Sequence, residues 1–117
     1  MKRLIAMTLG LALAAAAHAH TPLKTSVPAA DTSVPAPKAV ELTFSGDVRL
    51  TSVALTDSAG AAKHLDAVPT AIGSTFSLNV HEPLAPGAYK VVWRAVGGDT
   101  HIISGEFGFT VTAAPAR

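Results

Sequence analysis

The side chains best suited to hold a metal ion lie far apart in the chain, at His20 and in the run Asp99-Thr100-His101. The 117 residues include five histidines and no cysteine. Disulfides, thiolate zinc sites, a Cys nucleophile and a lipidated Cys are therefore excluded. A histidine at a chain start offers two nitrogens, its α-amine and its ring Nδ1, which close a six-membered chelate on one ion. The amine, with a pKa near 8, gives up its proton to a metal readily. Pro22 has no backbone N–H and so prevents successive deprotonated amides from wrapping the ion instead. Asp99 and His101 are two residues apart, and such residues point to one side of an extended chain. Together these groups supply three nitrogens and one oxygen. Such an N,O set suits a tetragonal Cu(II) ion, and Cu(II) tops the divalent affinity order. Asp-x-His is a weak motif alone and gains weight beside an N-terminal His. His64 and His81 have no such context and are read as surface or structural residues.

Whether His20 is a chain start depends on processing. Met1-Lys2-Arg3 is basic, and residues 4–17 are apolar apart from Thr8 and Gly10. That stretch falls short of the roughly 20 apolar residues of a membrane span. Ala17-His18-Ala19 then provides small residues in an A-x-A arrangement. A basic segment, a short apolar segment and such a site form a secretory signal. Residues 1–19 are thus expected to be cleaved and residues 20–117 to form the working domain. A second A-x-A, Ala15-Ala16-Ala17, would start the protein at His18 instead. The intact mass of the exported protein is expected to correspond to a first residue of His20. A start at His18 would lock the His20 amine in a peptide bond and sink the proposed ligand set; adding one residue before His20 should do the same damage artificially.

A chain of this length is one domain. Without Lys2 and Arg3 it carries seven basic and eight acidic residues, a net charge of about −1 with neutral histidines. That is no electrostatic footprint for nucleic acid. Apolar residues make up 49% and charged residues 15%, which excludes a charge-rich disordered chain. No other stretch could span a membrane, so an exported, soluble product is expected.

The elements that must position the ligands follow from a period of two. Residues 20–37 hold Pro22, Pro28, Pro35 and Pro37, so this part is extended or turn-rich rather than helical. Val40, Leu42 and Phe44 then alternate with polar residues, as do Val48 and Leu50, and Val53 and Leu55. The step from Leu50 to Val53 breaks the alternation and predicts a bulge or bend near Thr51-Ser52. Phe76, Leu78 and Val80 form another run; Tyr89, Val91, Trp93 and Ala95 a longer one; Phe107, Phe109 and Val111 the last. Turn signals separate them at Ser45-Gly46-Asp47, Asp57 to Gly60, Glu82 to Gly87 and Gly97-Gly98-Asp99. The pattern predicts an all-β, immunoglobulin-like Greek-key sandwich or barrel of about seven strands without a disulfide. Trp93 is expected in the core between sheets, and Ala113 to Arg117 as a loose tail.

Four stretches carry a resemblance to a known family: His20 to Ala29, Val40 to Ser45, Leu84 to Val96, and Asp99-Thr-His with Gly105 to Val111. They span nearly all of residues 20–117, and the Gly-x-Tyr-x-Val-x-Trp-Arg run leading to Asp-x-His is their specific part. The sequence resembles the CopC family of periplasmic copper-binding proteins. The resemblance implies a seven-stranded barrel-like sandwich holding Cu(II) through His20, by amine and ring, together with Asp99 and His101. It also favours cleavage after Ala19. Some members carry a Met-rich Cu(I) site at the opposite end of the barrel, which would fall near Leu55 to Ala67. No Met lies there, and Met1 and Met7 leave with the signal. Soft Cu(I) prefers thioether or thiolate ligands, so a Cu(II)-only member is expected.

The reading that results is a monomeric periplasmic Cu(II) carrier or buffer that sequesters copper or hands it to a membrane transporter, for which the family association suggests a CopD-like inner-membrane protein, and not an enzyme. Two alternatives stand beside it. An amine-plus-imidazole copper site also serves polysaccharide oxygenases, but no flat aromatic platform is visible, and an Asp ligand would occupy a position that oxygen chemistry needs open. A metal-free structural sandwich would not bring His20 and His101 together.

Overall fold

A computed structural model describes residues 23–113. The expected signal segment, His20, and the tail beyond Ala113 lie outside them. Among the described residues there are seven strands and no helix: β1 (Leu23–Val27), β2 (Ser33–Val34), β3 (Ala39–Asp57), β4 (Ala62–Lys63), β5 (Gly73–Asn79), β6 (Gly87–Gly97) and β7 (Ile102–Val111). The expected all-β architecture of about seven strands is what forms.

The 19-residue strand β3 organises the fold. Its first part pairs antiparallel with β1 and with β5, Leu42 facing Ser26 on one side and Phe76 on the other. Its second part pairs antiparallel with β6, from Val48↔Gly97 to Asp57↔Tyr89. β7 continues from β6, and β2 adds in parallel to β7. One strand therefore belongs to two sheet portions and curls the whole into a barrel-like sandwich. The expected turn at Ser45-Gly46-Asp47 does not form. The backbone stays extended there while its pairing with β5 jumps between Thr43 and Val48. Gly and Asp favour turns, but here the chain must cross from one sheet portion to the other, and the crossing keeps it extended. The second break was legible: the register of β3 against β6 shifts between Leu50 and Ser52, at the phase slip of the apolar pattern.

The inward faces supply the core. Val40, Leu42, Phe44, Leu50, Leu55, Leu78, Val91 and Trp93 are all essentially inaccessible. Phe44 from β3 meets Trp93 from β6 edge to face, with ring centroids 5.1 Å apart, and meets Phe76 of β5 at 6.0 Å. Trp93 thus seals the two sheet portions together, as expected of a core tryptophan. β7 starts five residues before the alternation at Phe107 becomes visible, because Ser104 and Gly105 interrupt the apolar series. Gly105 is required where it stands: a Cβ there would lie 2.7 Å from Cζ2 of Trp93.

Candidate metal centre

Asp99 and His101 sit in the short connection between β6 and β7. Gly97 N–H donates to the His101 carbonyl and Thr100 N–H to the Gly97 carbonyl, both at 2.9 Å. This closes a tight turn, and its cost is visible at Thr100, whose φ is +66°. A β-branched residue rarely enters the left-handed region. The two flanking side chains are brought together by that turn. The extended-chain geometry expected from their spacing is not what does it, because residues 98–101 are not strand. Asp99 and His101 lie side by side, and a turn rather than an extended strand puts them there.

Within the turn the Asp99 carboxylate folds back on its neighbour. Oδ1 accepts the His101 backbone N–H at 3.2 Å, and Oδ2 lies 2.7 Å from His101 Nδ1. Gly97 gives it room, since a Cβ at that position would come within 3.3 Å of Asp99 Oδ1. The hydrogen bond from His101 and its positive charge hold the Asp99 carboxyl below its usual range. In return the bond to Asp99, reinforced by the carboxylate's charge, raises the His101 ring above that of a free imidazole. The sign of each effect sets where the pair persists. The His101 contribution is present below about pH 6.5 and is lost as pH rises through its raised pKa. The Asp99 contribution is present above about pH 4 and is lost as pH falls through its lowered pKa.

An ionised carboxylate only accepts, so Nδ1 of His101 carries the proton in this pair. In the neutral ring Nε2 is then the free acceptor, with its lone pair available to a metal. A carboxylate that fixes the tautomer and orientation of a metal-binding imidazole is a common device. The carboxylate also keeps lone pairs beyond the two it uses here, so it can itself reach an ion. Both side chains are well exposed, at 68% for Asp99 and 80% for His101, and they edge an open cleft of about 580 Å³. Ser45 to Val48 of β3 form its other wall.

The first residue of β1, Leu23, pairs with Phe44, the residue just before that wall. The start of β1 and the Asp99–His101 turn therefore occupy the same end of the barrel. Among the described residues no three metal-ligating side chains converge; Asp99 and His101 are two. His20 lies outside the described residues. His64 and His81 are at the other end of the fold, where His64 approaches Glu82 and His81 bonds Asp66. Gly97 and Thr100 shape the turn and were not singled out as such, although the Gly97-Gly98-Asp99 turn signal marked the place.

Comparison with known proteins fits this geometry. A family model described as CopC domain matches residues 23–112. The chain is 35% identical to the Copper resistance protein C of Escherichia coli, over 94% of this chain and 95% of that one. It is 34% identical to the Copper resistance protein C of Pseudomonas syringae pv. tomato, over 87% and 88%. Among solved structures, PcoC from Escherichia coli, a methionine-rich copper resistance protein, superposes with a TM-score of 0.66 at 37% identity, covering 80% of this chain and 99% of that one. CopC from Methylosinus trichosporium OB3b gives 0.70 at 29% identity, covering 84% and 99%. With a turn that presents one carboxylate and one imidazole at the end of a seven-stranded β-barrel, and with a family match over 23–112, this chain belongs to the CopC family.

Proposed function

We propose that the protein is an exported, periplasmic Cu(II)-binding protein that sequesters copper or delivers it to a CopD-like inner-membrane transporter. It acts as a monomer in copper resistance and is not an enzyme. The observation that carries this reading is the Asp99–His101 pair, with Nε2 of His101 free among the described residues, at the barrel end where β1 begins. Three peptide steps lead from His20 to Leu23, a reach of at most about 11 Å. Cleavage after Ala19 gives that short segment a free amine and a ring nitrogen as the remaining ligands. Relatives named Copper resistance protein C support copper as the ion. Against an oxygenase, all six aromatic side chains are committed to the core, so the described surface offers no aromatic platform for a polysaccharide.

The ligand set is borderline and hard, and no thioether is available to retain Cu(I) once residues 1–19 are removed. Reduction is therefore expected to release the metal, which separates this chain from a methionine-rich relative. Copper binding also displaces protons from the amine and from any protonated imidazole, so affinity falls with pH. The raised pKa of His101 makes its proton compete from a higher pH than that of a free ring. Competition titrations against a Cu(II) chelator and a Cu(I) chelator, at pH 7 and pH 5, test both points. Tight Cu(I) binding, or a Cu(II) affinity unchanged at pH 5, overturns the ligand assignment.

A further inference from the structure

A second group of potential ligands lies at the opposite end of the barrel. The Val48-to-Leu55 part of β3 separates the two ends by roughly 20–25 Å of strand. Beyond β4, Leu65 forms an antiparallel bridge with Val80. His81 N–H donates to the His64 carbonyl at 2.9 Å, and Asp66 N–H to the Asn79 carbonyl at 3.0 Å. This register sets His64 directly opposite His81. Leu65 and Val80 pack against the core, so alternation turns His64, Asp66 and His81 to the outer face together.

Directly opposed residues of an antiparallel pair have Cβ atoms about 4.5–5.5 Å apart. Two imidazoles at that spacing can meet on one ion with ordinary metal–nitrogen distances of about 2.0–2.1 Å. Asp66 supplies the oxygen. Its Oδ1 bonds His81 Nε2, while its Oδ2 is anchored by the Asn79 N–H at 2.9 Å. A cation can take the place of the proton in this carboxylate–imidazole hydrogen bond. Only the His64 ring stands aside, turned toward Glu82 with Nδ1 3.7 Å from Oε2. Its side chain is 86% exposed, so rotation about its χ angles meets no packed neighbour, and the His64 backbone N–H already holds Glu82 at 2.7 Å.

We infer that His64, His81 and Asp66 form a second, surface site for a borderline divalent cation, closed by a swing of the His64 ring from Glu82 toward His81. Two neutral imidazoles and one carboxylate favour Zn(II) or Cu(II) over Mg(II) or Ca(II), and over Cu(I). The site is independent of Asp99 and His101.

The test uses Zn(II) as probe on protein carrying Asp99→Ala and His101→Ala, followed by calorimetric titration near neutral pH. One equivalent of Zn(II) is expected to bind. Adding His64→Ala to that background should weaken binding by more than about tenfold, the lower bound set by outer-shell partners of metal ligands. His81→Gln, which can still hydrogen-bond Asp66 but has no imidazole, should weaken it at least as much. Melting curves accompany each variant, and His64→Ala, altering an exposed ring, is expected to leave the fold intact. Absence of Zn(II) binding in the double variant overturns the inference. So does undiminished binding in His64→Ala or His81→Gln, since the two pairs would then only pin the segments after β4 and β5 together.

Discussion

Replacing His101 by alanine is expected to lower Cu(II) affinity by more than about 100-fold, beyond the 10–100-fold typical of outer-shell partners, while leaving the fold in place. The side chain is 80% exposed and opens no core cavity when truncated. The turn is closed by the His101 carbonyl and not by its ring. Surface substitutions of this kind leave the melting temperature within roughly 4 °C of the parent. Asp99→Asn separates two roles for the carboxylate. The amide still accepts a hydrogen bond from His101 Nδ1, but its negative charge is gone. An intermediate loss of copper marks Asp99 as the group that orients the ring; a loss as large as that of His101→Ala marks it as a direct ligand. Competition titration of all three proteins, alongside their melting temperatures, gives the answer. If His101→Ala holds Cu(II) as tightly as the parent, His101 is not a ligand.

The reverse pattern is expected at Trp93. Truncating it to alanine should cost about 3–5 kcal/mol, the usual range for a buried aromatic. For a domain of this size that is a fall of at least about 12 °C in Tm. The residue is 1% exposed and its ring meets Phe44 across the two sheet portions. Its indole N–H has no hydrogen-bond partner among the described residues, so its stabilising effect comes from packing. Gly105→Ala attacks the same contact from β7: the new Cβ would press on a ring already wedged against Phe44. Overpacking of that kind costs about 1–3 kcal/mol. Thermal unfolding followed by circular dichroism reads both variants. Where Trp93→Ala remains folded in the cold, its copper affinity should match the parent's, because the ligands sit on the β6–β7 turn and not on the core face. A Tm within a few degrees of the parent would mean that Trp93 does not join the sheet portions.

By itself the sequence determined the class of fold and the candidate ligands. A period of two in apolar residues is a local property, so the inward faces around Leu42, Phe76, Trp93 and Phe109 could be read without knowing any partner strand. The slip between Leu50 and Val53 was legible for the same reason: a bulge changes the face of every residue after it. Chemical type, the Asp-x-His spacing and the expected cleavage before His20 nominated His20, Asp99 and His101. What the sequence could not decide was which segments lie beside one another, because pairing is settled by contacts between residues distant in the chain. Ser45-Gly46-Asp47 has turn chemistry, yet β3 runs straight through it, since its two parts must serve different sheet portions. Asp99 and His101 meet because the β6–β7 pairing forces Thr100 to a positive φ, a state that no local preference of threonine would select. His64 and His81, 17 positions apart in the chain, each looked like an isolated surface histidine. Only the Leu65–Val80 bridge sets them face to face.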